Sequence, residues 1–204
     1  TSPHFAKSME ELHTAMAACE QTTGMNMLQH GHMVHEAYIA LWEELNATTL
    51  NGEPELTRWF EVCGATENLP LAPEALRSYH VYHDCGKHLV LCTDEQGRRH
   101  FPDHARASAS QYRAIFAQDE RTQYLIAHDM DFHTLRGDSL REAWHRPWAS
   151  TLYLTAWAEI RANASLFGGL SSESYKIKRS RLIQAAKKYV APVPTSMFSP
   201  TSLN

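Results

Sequence analysis

The residues of this chain best suited to chemistry lie close together in residues 82–87, which read Tyr-His-Asp-Cys-Gly-Lys. His83 and Asp84 occupy consecutive positions of a predicted helix, about 100° apart around its axis, so both side chains can reach one cavity. An imidazole and a carboxylate are costly to bury unless a metal ion or a charge partner satisfies them. Lys87 adds an ammonium group, and Gly86 is expected to end the helix in a tight turn. The string therefore predicts a buried site that binds a metal ion or pairs opposite charges.

Histidine is unusually frequent, with 13 residues against 9 glycines, and most of the histidines lie between residues 30 and 133. Three of them, His30, His104 and His128, fall at ends or inner faces of predicted helices, from which ligands can converge in the core of a bundle. Imidazole combined with carboxylate suits divalent ions, so we expect one or two ions of Mn, Co, Ni, Mg, Zn or Fe. Such an ion would polarise a phosphoryl oxygen, while Lys87 would stabilise the developing phosphate charge.

The spacing of apolar residues predicts an all-α protein whose helices position these side chains. The expected helices run roughly over Ser8 to Cys19, Asn26 to Leu45, Glu55 to Val62, Pro73 to Gly86, Ala105 to Ile115, Glu120 to His128, Trp148 to Phe167 and Ser172 to Tyr189. Residues 88–99 are expected to form either a small β-hairpin or a loop. His32 and His35 share a helix with His30 and compete with it as ligand, because a small error of register would exchange them.

The chain has the length of one domain, and we expect a single helical domain over residues 1–189. Residues 46–73 contain several Pro, Gly and Asn residues and are expected to be an insertion, which is either a lid over the site or a plain connection. Residues 190–204 are rich in Pro and Ser, and we expect an extended or disordered tail there.

Composition and charge narrow the classes of function. A net charge of −4 gives no general attraction to nucleic acid or to an anionic membrane, so any recognition of phosphate must be local. The chain lacks an apolar run of about 18 residues, so a transmembrane helix is not expected, and its first residues do not resemble a signal peptide. The four cysteines form no Cys-x-x-Cys pair and are expected to be reduced thiols of a cytoplasmic protein.

The motifs resemble those of the HD-domain metal-dependent phosphohydrolases, in particular the branch similar to the HD domains of CCA-adding enzymes. Residues 83–87 match the central His-Asp-x-Gly-Lys motif, and residues 29–34 are similar to the segment that carries the family's first histidine. Residues 101–109 resemble a Phe-x-Gly-His-Ala-x-x-Ser/Gly-Ala segment, and residues 125–128 resemble the segment of the next histidine. The resemblance covers about residues 26 to 160, with the motifs in the family's order.

The distal carboxylate of the family is not in its usual place. That ligand ends a helix segment of the form Leu-x-x-Ala-Asp, whereas residues 154–159 here read Leu-Thr-Ala-Trp-Ala-Glu. Asp129 or Asp131 can supply the missing carboxylate, and Asp129 is preferred. Glu159 is the remaining alternative.

The resemblance implies an HD-domain helical bundle with a central metal site, and hydrolysis of a nucleotide or a related phosphoester by a metal-activated water. The implied metal ligands are His30, His83, Asp84, His104, His128 and Asp129, and the implied catalytic residues are Asp84, Lys87 and His104. The expected partner is a small-molecule nucleotide or phosphoester, with an RNA end and a second copy of the chain as further candidates and no membrane. Two alternatives stay open: an HD-fold di-iron oxygenase, and a regulatory or binding module with a degenerate HD site.

Further basic residues are candidates for contact with phosphate. Arg106 would face the site if His104 does. The last predicted helix carries residues suited to nucleotide phosphates or an RNA backbone, although a solvated basic face is the commoner explanation. These basic residues are Lys176, Lys178, Arg179, Arg181, Lys187 and Lys188.

Overall fold

A computed structural model describes residues 4–22, 24–47, 53–166 and 168–189 of the chain. The tail predicted over residues 190–204, residues 48–52 of the predicted insertion and the predicted helix end at Phe167 lie outside the described residues. The prediction of an all-α protein is confirmed, because most of the described residues are helical and the few strands contain two or three residues each.

The helices follow one another in chain order and are joined by turns and two small hairpins. They are α1 (Met9–Ala18), α2 (Met27–Asn46), α3 (Pro54–Ala65), α4 (Arg77–Tyr82), α5 (Lys87–Val90), α6 (His104–Ile115), α7 (Glu120–Ala127), α8 (Asp131–Thr134), α9 (Gly137–Ala143), α10 (Ala149–Ala164) and α11 (Glu173–Ala186). In one antiparallel hairpin β1 (Glu20–Thr22) pairs with β2 (Met25–Asn26), and in the other β3 (Cys92–Thr93) pairs with β4 (Arg99–His100). The second hairpin confirms the β-hairpin alternative for residues 92–99. Residues 88–90 were predicted as part of the hairpin or loop, and that is wrong, because they belong to α5. The first hairpin was not predicted.

Side-chain caps fix where several helices begin. The Ser8 hydroxyl accepts a hydrogen bond from a backbone N–H three residues later, and Ser172 does the same at the start of α11. Asn26 forms a reciprocal pair with Gln29, in which each side chain accepts from the backbone N–H of the other residue. Such a cap is worth about 1 kcal/mol, because it satisfies N–H groups that have no partner within the helix. The Asn26 cap also sets the register of α2, and with it the face on which His30 lies.

Helix α10 lies at the centre of the core, with 14 of its 16 residues buried. It packs against α2 and α11, as a helix that is apolar on most sides must. The Tyr153 ring of α10 lies 4.5 Å from the Trp59 ring of α3, centroid to centroid. Leu56 and Cys63 of α3 are buried as well. Part of the segment predicted as an insertion therefore contributes directly to the core.

Two glycines allow the backbone contacts that bring the polar residues together. A Cβ atom at Gly31 of α2 would lie 2.4 Å from the carbonyl oxygen of Val81, so α2 crosses α4 at backbone distance. A Cβ atom at Gly86 would lie 2.3 Å from the backbone nitrogen of Ser108 in α6. The Gly86 N–H donates a hydrogen bond of 2.9 Å to the Ser108 hydroxyl. Helix α4 is thus held tightly against α2, and the turn that follows it is held against α6.

The prediction of one continuous helix from Pro73 to Gly86 is wrong. A 3₁₀ turn covers Pro73–Ala75, α4 follows it, and residues 83–86 form a turn before α5 begins. The Lys87 N–H donates to the carbonyl oxygen of Asp84, three residues back, as in a 3₁₀ turn. Because Ser108 takes the Gly86 N–H, the α-helical ladder cannot continue through this turn. His83 and Asp84 therefore lie on a turn and not on a helix.

The cysteines are free thiols. Cys19, Cys63 and Cys85 are buried, and Cys92 is exposed. Across the ranges that the structure describes, no helix combines the length and the apolarity that a membrane-spanning helix requires.

Candidate metal centre

Titratable side chains from distant parts of the chain meet at one cavity of about 230 Å³. They come from α2, the turn after α4, and the helices α5, α6, α8, α10 and α11. On the cavity wall these side chains are His30, Asp84, Lys87, His104, His133, Glu159, Lys178 and Arg181. Behind the wall lie His83 and Asp129, which are 2% and 4% exposed.

Asp84 is the centre of the cluster. Its Oδ2 atom lies 3.3 Å from Nε2 of His83 and 3.8 Å from Nε2 of His30. Its Oδ1 atom lies 3.6 Å from Nε2 of His104. The two oxygens of one carboxylate thus face different imidazoles, and the Lys87 ammonium donates a hydrogen bond of 2.6 Å to Oδ2.

Backbone carbonyl groups orient two of the imidazoles. Nδ1 of His83 donates to the carbonyl oxygen of His80 at 2.7 Å, and Nδ1 of His104 donates to that of Phe101 at 3.1 Å. A carbonyl oxygen only accepts, so Nδ1 carries the hydrogen in both rings. Nε2 of each ring is therefore the atom that can bind a proton or a metal ion. Metal-binding histidines are typically oriented by such a bond on the other nitrogen.

Glu159 forms the second side of the cluster. Its Oε1 atom lies 3.2 Å from Nε2 of His83, and its Oε2 atom lies 2.7 Å from Nε2 of His133. Asp129 lies close by and accepts a hydrogen bond from the Tyr79 hydroxyl. Ligand atoms of His83, Asp129 and Glu159 lie within 4.8 Å of one another, and the same holds for His30, His83 and Asp84.

Burial of three carboxylates beside His83 sets the charge balance of the cluster. Burial opposes protonation of His83, but the charges of Asp84, Asp129 and Glu159 outweigh it and raise the pKa to about 10. Burial, and then the charge of Glu159, raise the pKa of Asp129 to about 7. Burial lowers the pKa of His30 to about 4, and the charge of His83 adds to this effect. A divalent cation would neutralise the same carboxylates that the His83 proton neutralises here.

The cluster fits a divalent cation, because buried polar atoms at its centre lack hydrogen bonds. Within the described ranges, Nε2 of His83 and Oδ1 of Asp84 are buried and have no partner in hydrogen-bonding geometry. Buried polar atoms are normally satisfied, so such atoms require an explanation. Imidazole nitrogens and carboxylate oxygens are also the donors that Mn, Fe, Co, Ni and Zn accept. A cation bound between these residues would satisfy the atoms that the protein leaves unpartnered.

The structure brings together most of the residues that the sequence predicted for the site. These residues are His30, His83, Asp84, Lys87, His104 and Asp129. Glu159, the remaining alternative for the distal carboxylate, also lies in the cluster, so the choice between it and Asp129 is not exclusive. His32 is exposed, and His35 is buried with its Nδ1 atom 3.0 Å from Nδ1 of His80.

Three of the residues considered for the site from the sequence lie elsewhere. Nδ1 of His128 lies 3.1 Å from Oδ2 of Asp131, and Arg146 contacts both residues. Neither residue lines the cavity or belongs to the two groups of potential metal ligands, because contacts with Asp131 and Arg146 hold the His128 ring. Arg106 does not face the site either, since its side chain is 83% exposed and pairs with Asp103.

His133 was not predicted from the sequence as a residue of the site. No motif marks this residue, but it follows Asp129 by four positions, a spacing that places two residues on one side of a helical turn. In the structure α8 begins at Asp131 and turns His133 toward Glu159. Asp129 precedes this helix, so the spacing alone did not indicate the contact between His133 and Glu159.

Comparison of the chain with protein-family models, curated protein sequences and solved structures finds no significant match. The resemblance to HD-domain phosphohydrolases rests on the motifs alone and stays a prediction. The geometry of the candidate metal centre described above comes from the residues of this chain and not from a relative.

Proposed function

We propose that the protein is a divalent-metal-dependent phosphohydrolase that acts on a nucleotide or a related phosphoester. The observation that carries the proposal is the buried imidazole and carboxylate cluster around Asp84, open to a cavity that Lys87 also lines. When bound, a divalent metal lowers the pKa of a coordinated water and polarises a phosphoryl oxygen. The residues that would hold one or two ions are His30, His83, Asp84, His104, Asp129, His133 and Glu159.

Lys87 is suited to binding the phosphoryl group under attack. Its ammonium is anchored by Asp84 at 2.6 Å and by the side-chain carbonyl of Gln21 at 2.8 Å, and it lies 5.2 Å from the centroid of the Phe101 ring. An ammonium uses three hydrogens as donors, so these two bonds leave one for a ligand. Held in place before the substrate arrives, Lys87 would stabilise negative charge on the phosphoryl oxygens without reorganisation.

His104 is suited to moving a proton. Its side chain is 17% exposed on the cavity wall, and burial lowers the pKa of its imidazole. The ring is therefore neutral near pH 7, and its Nδ1–H bond to Phe101 leaves Nε2 as the proton acceptor. This nitrogen would accept a proton from the attacking water, or would bind a second ion in a two-metal site.

The proposal is tested by phosphate release and phosphodiester cleavage from a panel of substrates. The panel contains nucleoside mono-, di- and triphosphates, 2′,3′-cyclic phosphates and cyclic dinucleotides, each with Mn, Co, Ni, Mg, Zn or Fe. Asp84→Asn should lower metal-dependent turnover by about 100-fold or more. Asp138→Asn is the matched control, because its side chain is 86% exposed in α9 and its turnover should equal that of the wild type.

Two results would contradict the proposal. Turnover that persists in Asp84→Asn would show that the activity does not use this centre. Absence of turnover together with absence of bound metal would favour the binding module with a degenerate site.

The di-iron oxygenase is the second candidate. It is favoured by the size of the donor set, because four imidazoles and three carboxylates near one cavity are sufficient for two iron ions. Iron content of the purified protein and oxygen consumption in the presence of Fe(II) separate this chemistry from hydrolysis. Iron with oxygen consumption but without phosphate release would assign the oxygenase.

A further inference from the structure

Helix α11 brings two of its basic side chains to the wall of the metal-site cavity. Lys178 and Arg181 line this cavity together with the potential metal ligands. Arg179, between them in sequence, turns away, and its guanidinium donates hydrogen bonds to both carboxylate oxygens of Glu53. Lys176 is exposed and lies outside the cavity wall. The basic residues of α11 are therefore not one uniform solvated face.

The two cations are available to a ligand and are carried by an anchored helix. In the part of the chain that the structure describes, neither Lys178 nor Arg181 forms an ion pair, whereas Arg179 on the same helix does. The backbone of α11 is fixed next to them, because the Tyr153 hydroxyl of α10 donates to the carbonyl oxygen of Leu182 at 3.0 Å. Leu182 also lines the cavity. The helix thus positions both cations relative to the metal centre.

We propose that the substrate carries a second phosphate group beside the one that is attacked, and that Lys178 and Arg181 bind this second group. The inference rests on the proposed function, which assigns Lys87 to the first phosphate. Lys87 is only 6% exposed and is tied to Asp84, so it cannot serve a group at the cavity mouth. Lys178 and Arg181 are exposed and belong to another element. An arginine fork and a lysine point charge both suit phosphate oxygens.

The second phosphate could belong to a mononucleotide or to an oligonucleotide, and a neighbouring cavity distinguishes the two. This cavity of about 170 Å³ shares Phe132 and Arg181 with the first one, and Lys188 lines it as well. The polyphosphate group of a mononucleotide would need only Lys178 and Arg181. An oligonucleotide that ends in the metal site would continue past Arg181 toward Lys188. The two sources share their chemistry and differ in whether they require Lys188.

Binding of three probes by the whole protein in the presence of MnCl₂ tests the inference. The probes are inorganic phosphate, imidodiphosphate as a non-hydrolysable pair of linked phosphates, and a 5′-phosphorylated trinucleotide with phosphorothioate linkages. Lys178→Gln and Arg181→Gln should each weaken imidodiphosphate binding about tenfold and change phosphate binding less than about twofold. Lys176→Gln removes the same charge from the same helix outside the cavity, and it should change neither affinity by more than about twofold.

Unchanged imidodiphosphate affinity in both variants, or an equal loss in Lys176→Gln, would overturn the inference. Selective loss would support it, and Lys188→Gln would then identify the source. Weaker trinucleotide binding in Lys188→Gln would assign nucleic acid, and unchanged binding would assign a mononucleotide.

The inference and the proposed function fail in different ways. If the protein hydrolyses no phosphoester but Lys178→Gln and Arg181→Gln still lose imidodiphosphate selectively, the anion site stands and the hydrolase is rejected. If hydrolysis requires Asp84 but both variants bind imidodiphosphate normally, the hydrolase stands and the second phosphate site is rejected.

Discussion

Replacing Gly31 with alanine should destabilise the fold where α2 crosses α4. The added Cβ atom would lie 2.4 Å from the carbonyl oxygen of Val81 and 2.8 Å from its Cα atom, so the two helices would have to separate. Alanine gains about 1 kcal/mol of helix propensity over glycine, whereas overpacking costs about 1–3 kcal/mol. Because the clash is with backbone, which cannot rotate away as a side chain can, we take the upper value of about 3 kcal/mol for the cost of overpacking. The free energy of unfolding should then fall by about 2 kcal/mol.

Urea unfolding followed by circular dichroism measures this loss, and Gly64→Ala is the matched control. Gly64 also lies within a helix, α3, but its added Cβ atom would meet only Cδ2 of Leu69 at 3.8 Å, an ordinary contact. The control should therefore be more stable than the wild type by about 0.5–1 kcal/mol. In a protein of this size, a loss of about 2 kcal/mol lowers Tm by about 4–8 °C.

The same substitution should also disturb the geometry of the candidate metal centre. His30 precedes Gly31 in α2, and His83 follows Val81 by two residues, so separation of the helices pulls these two imidazoles apart. Mn binding, measured by calorimetry, should weaken about tenfold in Gly31→Ala and stay unchanged in Gly64→Ala. A Gly31→Ala protein as stable as the wild type would contradict this expectation, because α2 and α4 could then not be in backbone contact.

Three further predictions concern metal, His133 and a remote ion pair. Mn at about 100 times its Kd should raise the free energy of unfolding of the wild type by about 2.7 kcal/mol, and EDTA should reverse this gain. A similar gain in Asp84→Asn would show that the ion binds elsewhere. His133→Gln should weaken Mn binding about tenfold in calorimetry, and equal affinity to the exposed control His32→Gln would exclude His133 from the centre. The hydrogen bond from Arg179 lowers the pKa of Glu53 in the folded protein. The stabilisation that this pair contributes is therefore fully present above the unfolded pKa of about 4.3, and it is lost as the pH falls through the folded pKa. The stability difference between wild type and Glu53→Gln in urea unfolding should therefore shrink as the pH falls below about 4.3, and a constant difference would contradict this account.

Helix starts were predictable because the groups that fix them are local. Ser8, Asn26 and Ser172 each cap a helix through an N–H group only three residues away. The end of α4 was not predictable, because its cause is distant in sequence. The Ser108 hydroxyl takes the N–H of Gly86 from 22 residues away, which stops the helix that the local pattern favours.

The candidate metal centre, too, was predictable only where its residues are neighbours in sequence. His83, Asp84 and Lys87 are neighbours in sequence, so one short string indicated their chemistry. The distal carboxylate depends on how α10 packs beside α8 and the turn before it, which no local pattern contains, and both Asp129 and Glu159 join the cluster. His128, next to Asp129 in sequence, does not join them.

The surroundings of the three buried carboxylates show how the centre stays ordered around like charges. Each carboxylate has its own partner: Lys87 for Asp84, Tyr79 for Asp129 and His133 for Glu159. Such partners hold ligands in place and are characteristic of the residues that surround metal ligands. Because each partner belongs to the protein, the carboxylates do not depend on a cation for their positions. The remaining oxygens of Asp84 and Glu159 face the imidazoles, Oδ1 toward His104 and Oε1 toward His83. The cluster that could bind a cation is therefore held in place by packing that the rest of the fold supplies.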